Sequence, residues 1–340
     1  ICKAEGDSID WKSGDGCGAY ILRNRDFGVS ISLERNPNHW RDDVGFLDSI
    51  EMLALVDLNA RTTALVSGDV DVIDRLDLKT VGLLARKPGV NINSVAGNQH
   101  YTMPMDTKIA PYNDPNVRLA LKYACNRQEM VDKVLFGYGS LGNDHPIGPG
   151  QRFFNTDLAQ REYDPDKAAF HLKQAGLDGL NIKLHASDAA FGGAVDAGVL
   201  FQASAAGAGI TADVVREPND GYWSDVWMKK EFVFSYWGGR PVEDQMFATA
   251  YKSGASWNES YWSNERFDEL LVKARAELDD AKRREMYFEM QQICSDDGGS
   301  VIPMFANYVF AVSDKVQLPE TMATNWDLDG ERWAERWSLA

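Results

Sequence analysis

Basic residues are scarce in this chain of 340 residues: 35 Lys and Arg stand against 51 Asp and Glu, a net charge of −16. A field of that sign repels phosphate backbones and anionic lipid surfaces, which makes nucleic acid and membrane surfaces poor partners. Long apolar runs are missing as well, none approaching the roughly 20 residues a membrane helix requires. No basic, apolar, small-residue leader opens the chain, which implies a mature, processed or incomplete sequence. Cysteine is limited to Cys2, Cys17, Cys125 and Cys294, without a CxxC pair, so zinc-site and thioredoxin readings lack their spacing. The five histidines form no HExxH or other close metal pair, and no GxSxG elbow occurs. No cofactor, metal or catalytic residue is expected.

What is present is ordinary globular material with many aromatics. Hydrophobic residues make up 44% and charged residues 25%, enough to build about two domains, each with its own core. Ten Trp, twelve Tyr and fifteen Phe supply apolar area with polar tips, suited to lining a pocket as well as filling a core. Cys2 and Cys17 flank a polar, Gly-rich stretch. A disulfide there would close a loop of about 15 residues and contribute around 3 kcal/mol in the chain-entropy model. Cys125 and Cys294 sit in apolar helical patterns, where a buried free thiol is the simpler state.

Strand and helix patterns alternate without a tandem repeat, which predicts α/β lobes with partly parallel sheets. Residues 19–22 and 29–33 read as paired strands, and Asn59 to Ser67 as a helix closed by Gly68. Asp114-Pro115 and Asp164-Pro165 open helices, and Asn126 has Glu129 in capping-box position. Short strands are expected at 91–95, 182–185, 212–215, 232–236 and 301–305, an extended stretch at 101–105, and one long helical stretch over 264–294.

The order of motifs resembles a known family. Gly16-x-Gly18-Ala19-Tyr20 is followed by Leu33-Glu34-Arg35-Asn36-Pro37-Asn38-x-Trp40. Asn59-Ala60-Arg61, Ser67-Gly68-Asp69-Val70-Asp71 and Asn113-Asp114-Pro115-x-Val117-Arg118 come next. Tyr123-Ala124-x-Asn126-Arg127, Gly137-Tyr138-Gly139 and Tyr163-Asp164-Pro165 complete the series. It is similar to the family 5 extracellular solute-binding proteins, the dipeptide-, oligopeptide- and nickel-binding proteins of ABC importers. The resemblance implies a two-lobed periplasmic-binding-protein fold, α/β, type II and cluster C-like, with hinge strands between lobes. Residues 1–107 and the return segment 306–340 would form lobe I, and 108–305 lobe II. A further N-terminal portion usual in the family is not found here. Arg118 and Arg127 are expected in structural ion pairs.

The same resemblance implies the function. A periplasmic (or extracellular, membrane-associated) monomer would capture a small solute between its lobes and deliver it to ABC permease subunits in the inner membrane. The candidate ligand-binding residues are Tyr236, Trp237, Gly238, Gly239 and Arg240 at a strand-to-loop junction. Tyr222, Trp223, Trp326, Asp327 and His100 are added to them. Ligands of open α/β sheets bind beyond the carboxyl ends of strands, as this junction would allow. Peptide-binding relatives place an acid near the position of Arg240 to receive the peptide's amine. A guanidinium fork here suits a carboxylate or phosphate instead, unless Arg240 pairs with Glu243 or Asp244. The opposing reading is a hydrolase or other enzyme using cleft carboxylates. Gly137-x-Gly139-x-x-Gly142 matches a dinucleotide fingerprint only by its letters, since it follows a helix rather than joining a strand to one. Asn325-x-Asp327-x-Asp329-Gly330 resembles half of a calcium loop, but Arg336 stands where a bidentate Glu is needed.

Overall fold

A computed structural model describes residues 4–6, 8–9 and 16–340. The chain divides into two compact units, residues 1–95 with 308–340, and residues 96–307. Both boundaries fall inside continuous strands, Val90–Pro104 and Ser300–Ser313. The expected segments 91–95 and 101–105 are therefore one strand, and 301–305 is the start of a far longer one. No helix among the described residues is long and apolar enough to cross a membrane.

The first unit carries an antiparallel sheet of Tyr20–Asp26, Ser30–Arg35 and Ser49–Leu53. Its helix Leu58–Ser67 begins where the Asp57 carboxylate accepts from the Ala60 N–H at 2.7 Å, and ends at Gly68, whose φ of 83° suits a residue without Cβ. Leu65, Ile73, Leu84 and Ala311 close one small core, and Phe310, Val312 and Trp337 another.

The second unit has the larger core, built on Phe247, Phe267, Leu270, Leu271, Met290 and Ile302. Leu180–Ala186 and Ile210–Arg216 pair in parallel, joined through the helix Ala194–Ala206. Helix starts follow the local chemistry: Asp114 caps Pro115–Tyr123, Asn126 accepts from the Glu129 N–H, and Asp164 accepts from the Lys167 N–H. The single long helix expected over 264–294 is instead two, Glu265–Ala276 and Asp280–Asp297. Glu277 ends the first and Asp279 caps the second, its carboxylate accepting from the N–H groups of Ala281 and Lys282.

Cys17 is a free, exposed thiol, which gives no support to the expected bridge; Cys2 lies outside the described residues. Cys125 and Cys294 are buried and free. The Gly-rich letters at 137–142 are a packing device. A Cβ on Gly139 would lie 2.5 Å from the Phe305 carbonyl oxygen, and one on Gly142 2.0 Å from that of Ile302. Only glycine lets this segment lie against the strand Ser300–Ser313.

A buried charge cluster ties these elements together. Arg127 donates to both Asp144 oxygens at 2.7 Å, Arg161 adds a bond at 3.0 Å, and the Ile302 N–H adds one at 2.9 Å. Arg118 pairs with Asp297 at 2.6 Å. Lys122, fully buried, donates to the carbonyls of Cys294 and Ser295 at 3.1 and 2.9 Å. Burial drives its ammonium down to about 7, against the attraction of Asp144. A lowered amine binds fewer protons in the folded than in the unfolded chain between pH 7 and its ordinary value near 10.5. This group's contribution therefore rises with pH across that window and is flat below it. Denaturant titrations from pH 7 to 10 should show this slope in wild type and not in Lys122→Met; equal slopes would refute the assignment.

Candidate functional site

The strand Ser235–Trp237 runs antiparallel to Val90–Pro104, with Ser235 opposite Thr102, Tyr236 opposite Tyr101 and Trp237 opposite His100. Strand alternation sends Ser235 and Trp237 inward and leaves Tyr236 41% exposed. The strand expected from Phe232 starts three residues later, because Phe232 and Val233 make only isolated bridges, to Met105 and His185.

Behind the strand lies a residue that sequence reasoning missed. Glu259 is buried, and its carboxylate accepts from Thr102 Oγ1 at 2.7 Å, Trp237 Nε1 at 3.0 Å and Trp227 Nε1 at 2.7 Å. Ser235 donates to it as well. Burial raises its pKa, and these donors oppose the rise without cancelling it. No sequence signal marks Glu259, which sits in a loop 22 residues beyond Trp237. Its role is to fix two indoles by their polar edges.

Past the strand, Gly238 and Gly239 are buried and Arg240 is partly buried. The Arg240 guanidinium donates to the carbonyls of Gly238 and Gly239 at 3.2 and 3.0 Å, and lies 5.7 Å from the Trp237 ring. Neither nearby acid takes it. Glu243 accepts from the Phe153 N–H at 2.7 Å, and Asp244 pairs with Arg275 at 2.6 Å. Aromatic faces flank the junction. Trp223 is 42% exposed and meets Tyr236 edge-on at 5.6 Å and Trp227 at 5.9 Å. Trp257, also missed from the sequence, is 51% exposed and 6.0 Å from Trp237.

The remaining candidates are placed differently. Tyr222 is interior, its hydroxyl donating to the Phe234 carbonyl at 2.6 Å. His100 is fully buried on the face of Trp237, and burial, with the field of Arg240, brings its pKa down to about 4. Trp326 and Asp327 belong to the other unit, where Asp327 pairs with Arg75 at 2.9 Å. Asp329 of the calcium-like stretch pairs with Arg336. Among the described residues no group of His, Cys, Asp and Glu is arranged to hold a metal ion.

The profile of the bacterial extracellular solute-binding proteins, family 5 (middle region), matches residues 4–259. The chain belongs to this family. The family-5 chain is 24% identical over 306 residues to di/tripeptide-binding protein 1 of Pseudomonas aeruginosa, covering 83% of this chain and 54% of that protein. It spans about half the length of the curated relatives it matches. Among solved structures it is similar to the DppA periplasmic binding protein of Helicobacter pylori in complex with peptide STSA. That match has a TM-score of 0.79 and 22% identity, covering 95% of this chain and 64% of that one. AgaA of A. tumefaciens R10, in complex with agropinic acid, gives a TM-score of 0.77 and 22% identity, covering 95% and 67%. These likenesses show the two-lobed, α/β periplasmic-binding-protein fold.

Proposed function

We propose that this chain is the solute-capturing component of an ABC importer, taking a small peptide-like or anionic solute that presents a carboxylate or phosphate to Arg240. The observation that carries the reading is the state of that guanidinium. It is held by two carbonyls of its own loop, and no carboxylate among the described residues pairs with it. Its remaining donors suit the planar acceptor of an acid group. Trp223, Tyr236 and Trp257 offer half-exposed faces for the rest of the solute. Relatives that bind di- and tripeptides, and a structural neighbour holding agropinic acid, support capture of small acid-bearing solutes.

In this reading the protein acts in the periplasm, or outside the cell at a membrane, as a monomer. The solute lies in the cleft expected of the two-lobed fold, the lobes close over it by hinge bending, and permease subunits receive it. Nothing favours the hydrolase alternative: Glu243, Asp244 and Glu259 are all engaged by protein donors.

Mass spectrometry of the solute released on denaturing the purified protein would identify the ligand chemically unchanged. Calorimetric titration of that solute should then show Arg240→Ala binding about 10- to 100-fold more weakly, the worth of a charge-assisted hydrogen bond. Unchanged affinity in Arg240→Ala would remove the reading.

A further inference from the structure

Beside Arg240 lies a group of buried polar atoms that the protein leaves without partners. Asn98, His100 and His145 are 5%, 0% and 1% exposed. Asn98 Oδ1, His100 Nε2 and both ring nitrogens of His145 make no hydrogen bond. They share one neighbourhood. The His100 ring is 5.3 Å from that of Phe305, and a Cβ on Gly148 would touch both Asn98 Oδ1 and the Phe305 edge, at 3.1 and 3.2 Å. His145 lies within reach of the field of His100, and His100 within that of Arg240.

The protonation states follow from the contacts. His100 Nδ1 stands 3.1 Å from the Asn98 carbonyl, which can only accept, so Nδ1 carries the proton and Nε2 is a bare acceptor. Both imidazoles are neutral, their pKa values brought down to about 4 by burial. The cluster therefore offers acceptors at Asn98 Oδ1, at His100 Nε2 and at one His145 nitrogen, with one donor at the other. Leaving such groups unpaired in the interior is unfavourable, so a solute group that pairs them gains affinity. An ammonium is a poor partner, because the Arg240 charge and the burial both oppose a second cation.

We propose that Asn98, His100 and His145 form an uncharged recognition pocket for a hydroxyl or amide group of the captured solute, next to the place where Arg240 takes its acid. The inference rests on the Arg240 reading and adds what stands beside the acid: a neutral group that both donates and accepts.

Three acids that share a carboxylate test the idea by calorimetric titration of the intact protein: gluconate with hydroxyls, N-acetylglycine with an amide, and butyrate with neither. The expected result is that gluconate or N-acetylglycine binds at least about tenfold more tightly than butyrate, the worth of one well-made buried hydrogen bond. His100→Leu should abolish the preference, so that the preferred acid and butyrate bind this variant equally. Which acid wins separates hydroxyl from amide. Equal binding of all three by wild type overturns the pocket without needing any variant. Sensitivity of all three to Arg240→Ala would in that case leave the acid site standing alone. Conversely, a preference that survives an inert Arg240→Ala supports the pocket and removes the acid site. No binding of any acid overturns both. A crystal structure with ordered waters on Asn98 Oδ1 and His100 Nε2, undisturbed by soaked acid, marks a hydration site and overturns the pocket.

Discussion

Asp144→Asn should destabilise the protein by about 3–5 kcal/mol, the range for breaking one side of a buried ion pair. The substitution keeps shape and removes only charge. Arg127 and Arg161, with side chains 2% and 7% exposed, would then stay buried beside a neutral amide. Burial alone would raise the Asp144 carboxyl, yet Arg127, Arg161 and Lys122 outweigh it and hold it below the usual range. A lowered acid contributes stability that is complete above its unfolded value and is lost as pH falls through its folded one. The gap between wild type and variant should therefore narrow in acid. Urea titration at neutral and acidic pH measures both effects. A variant of wild-type stability at neutral pH would show that the cluster contributes nothing net. Asp280→Asn breaks the exposed pair with Arg152 and serves as the control, with no measurable change expected.

Glu259→Leu should cost about 3 kcal/mol, because it leaves buried donors without an acceptor at about 1–3 kcal/mol each. Those donors are the Trp227 and Trp237 indoles and the Thr102 and Ser235 hydroxyls. The loss is partly offset, since a carboxylate whose pKa is raised by burial is itself held at a cost. The pH dependence has the opposite sign to that of Asp144. A raised acid binds more protons in the folded chain, so its contribution falls as pH rises from about 4.5 through the folded value and is level above it. Thermal melts across mildly acidic pH should show this fall in wild type and its absence in Glu259→Leu. If the variant matches wild type at neutral pH, the four-donor arrangement is not what holds the indoles.

Much of the scaffold was readable because local chemistry decides it. Asp114, Asn126 and Asp164 cap helices where their side chains, and the prolines after the two aspartates, indicate. Lengths were harder. Whether 91–95 and 101–105 are one strand depends on partners distant in sequence, and tertiary pairing overrides the polar residues between them. The helix break at Asp279 was hidden for a related reason. Asp favours a cap over a helix interior, but the apolar periodicity resumes beyond it and reads as one continuous helix.

The site was half visible. The Trp-Gly-Gly-Arg junction became a candidate through the family resemblance, and the structure leaves Arg240 without an acid, as neither Glu243 nor Asp244 turns toward it. Glu259, Asn98 and His145 give no such sign. Each is a single polar residue whose meaning comes from burial among groups far away in the chain. Tyr222 shows the converse. Its place among aromatics suggested a ligand face, while its hydroxyl closes a bond inside the core.

The sharing of one carboxylate by two tryptophans has an optical side. Indole emission responds to the charge and hydrogen bonding at the ring nitrogen, so Trp227 and Trp237 report on a common point from two directions. Any event that tugs on the loop carrying Glu259, or on the strand leading to Arg240, changes both signals together. Two of the ten native tryptophans are thus wired to one carboxylate beside the strand that leads to Arg240.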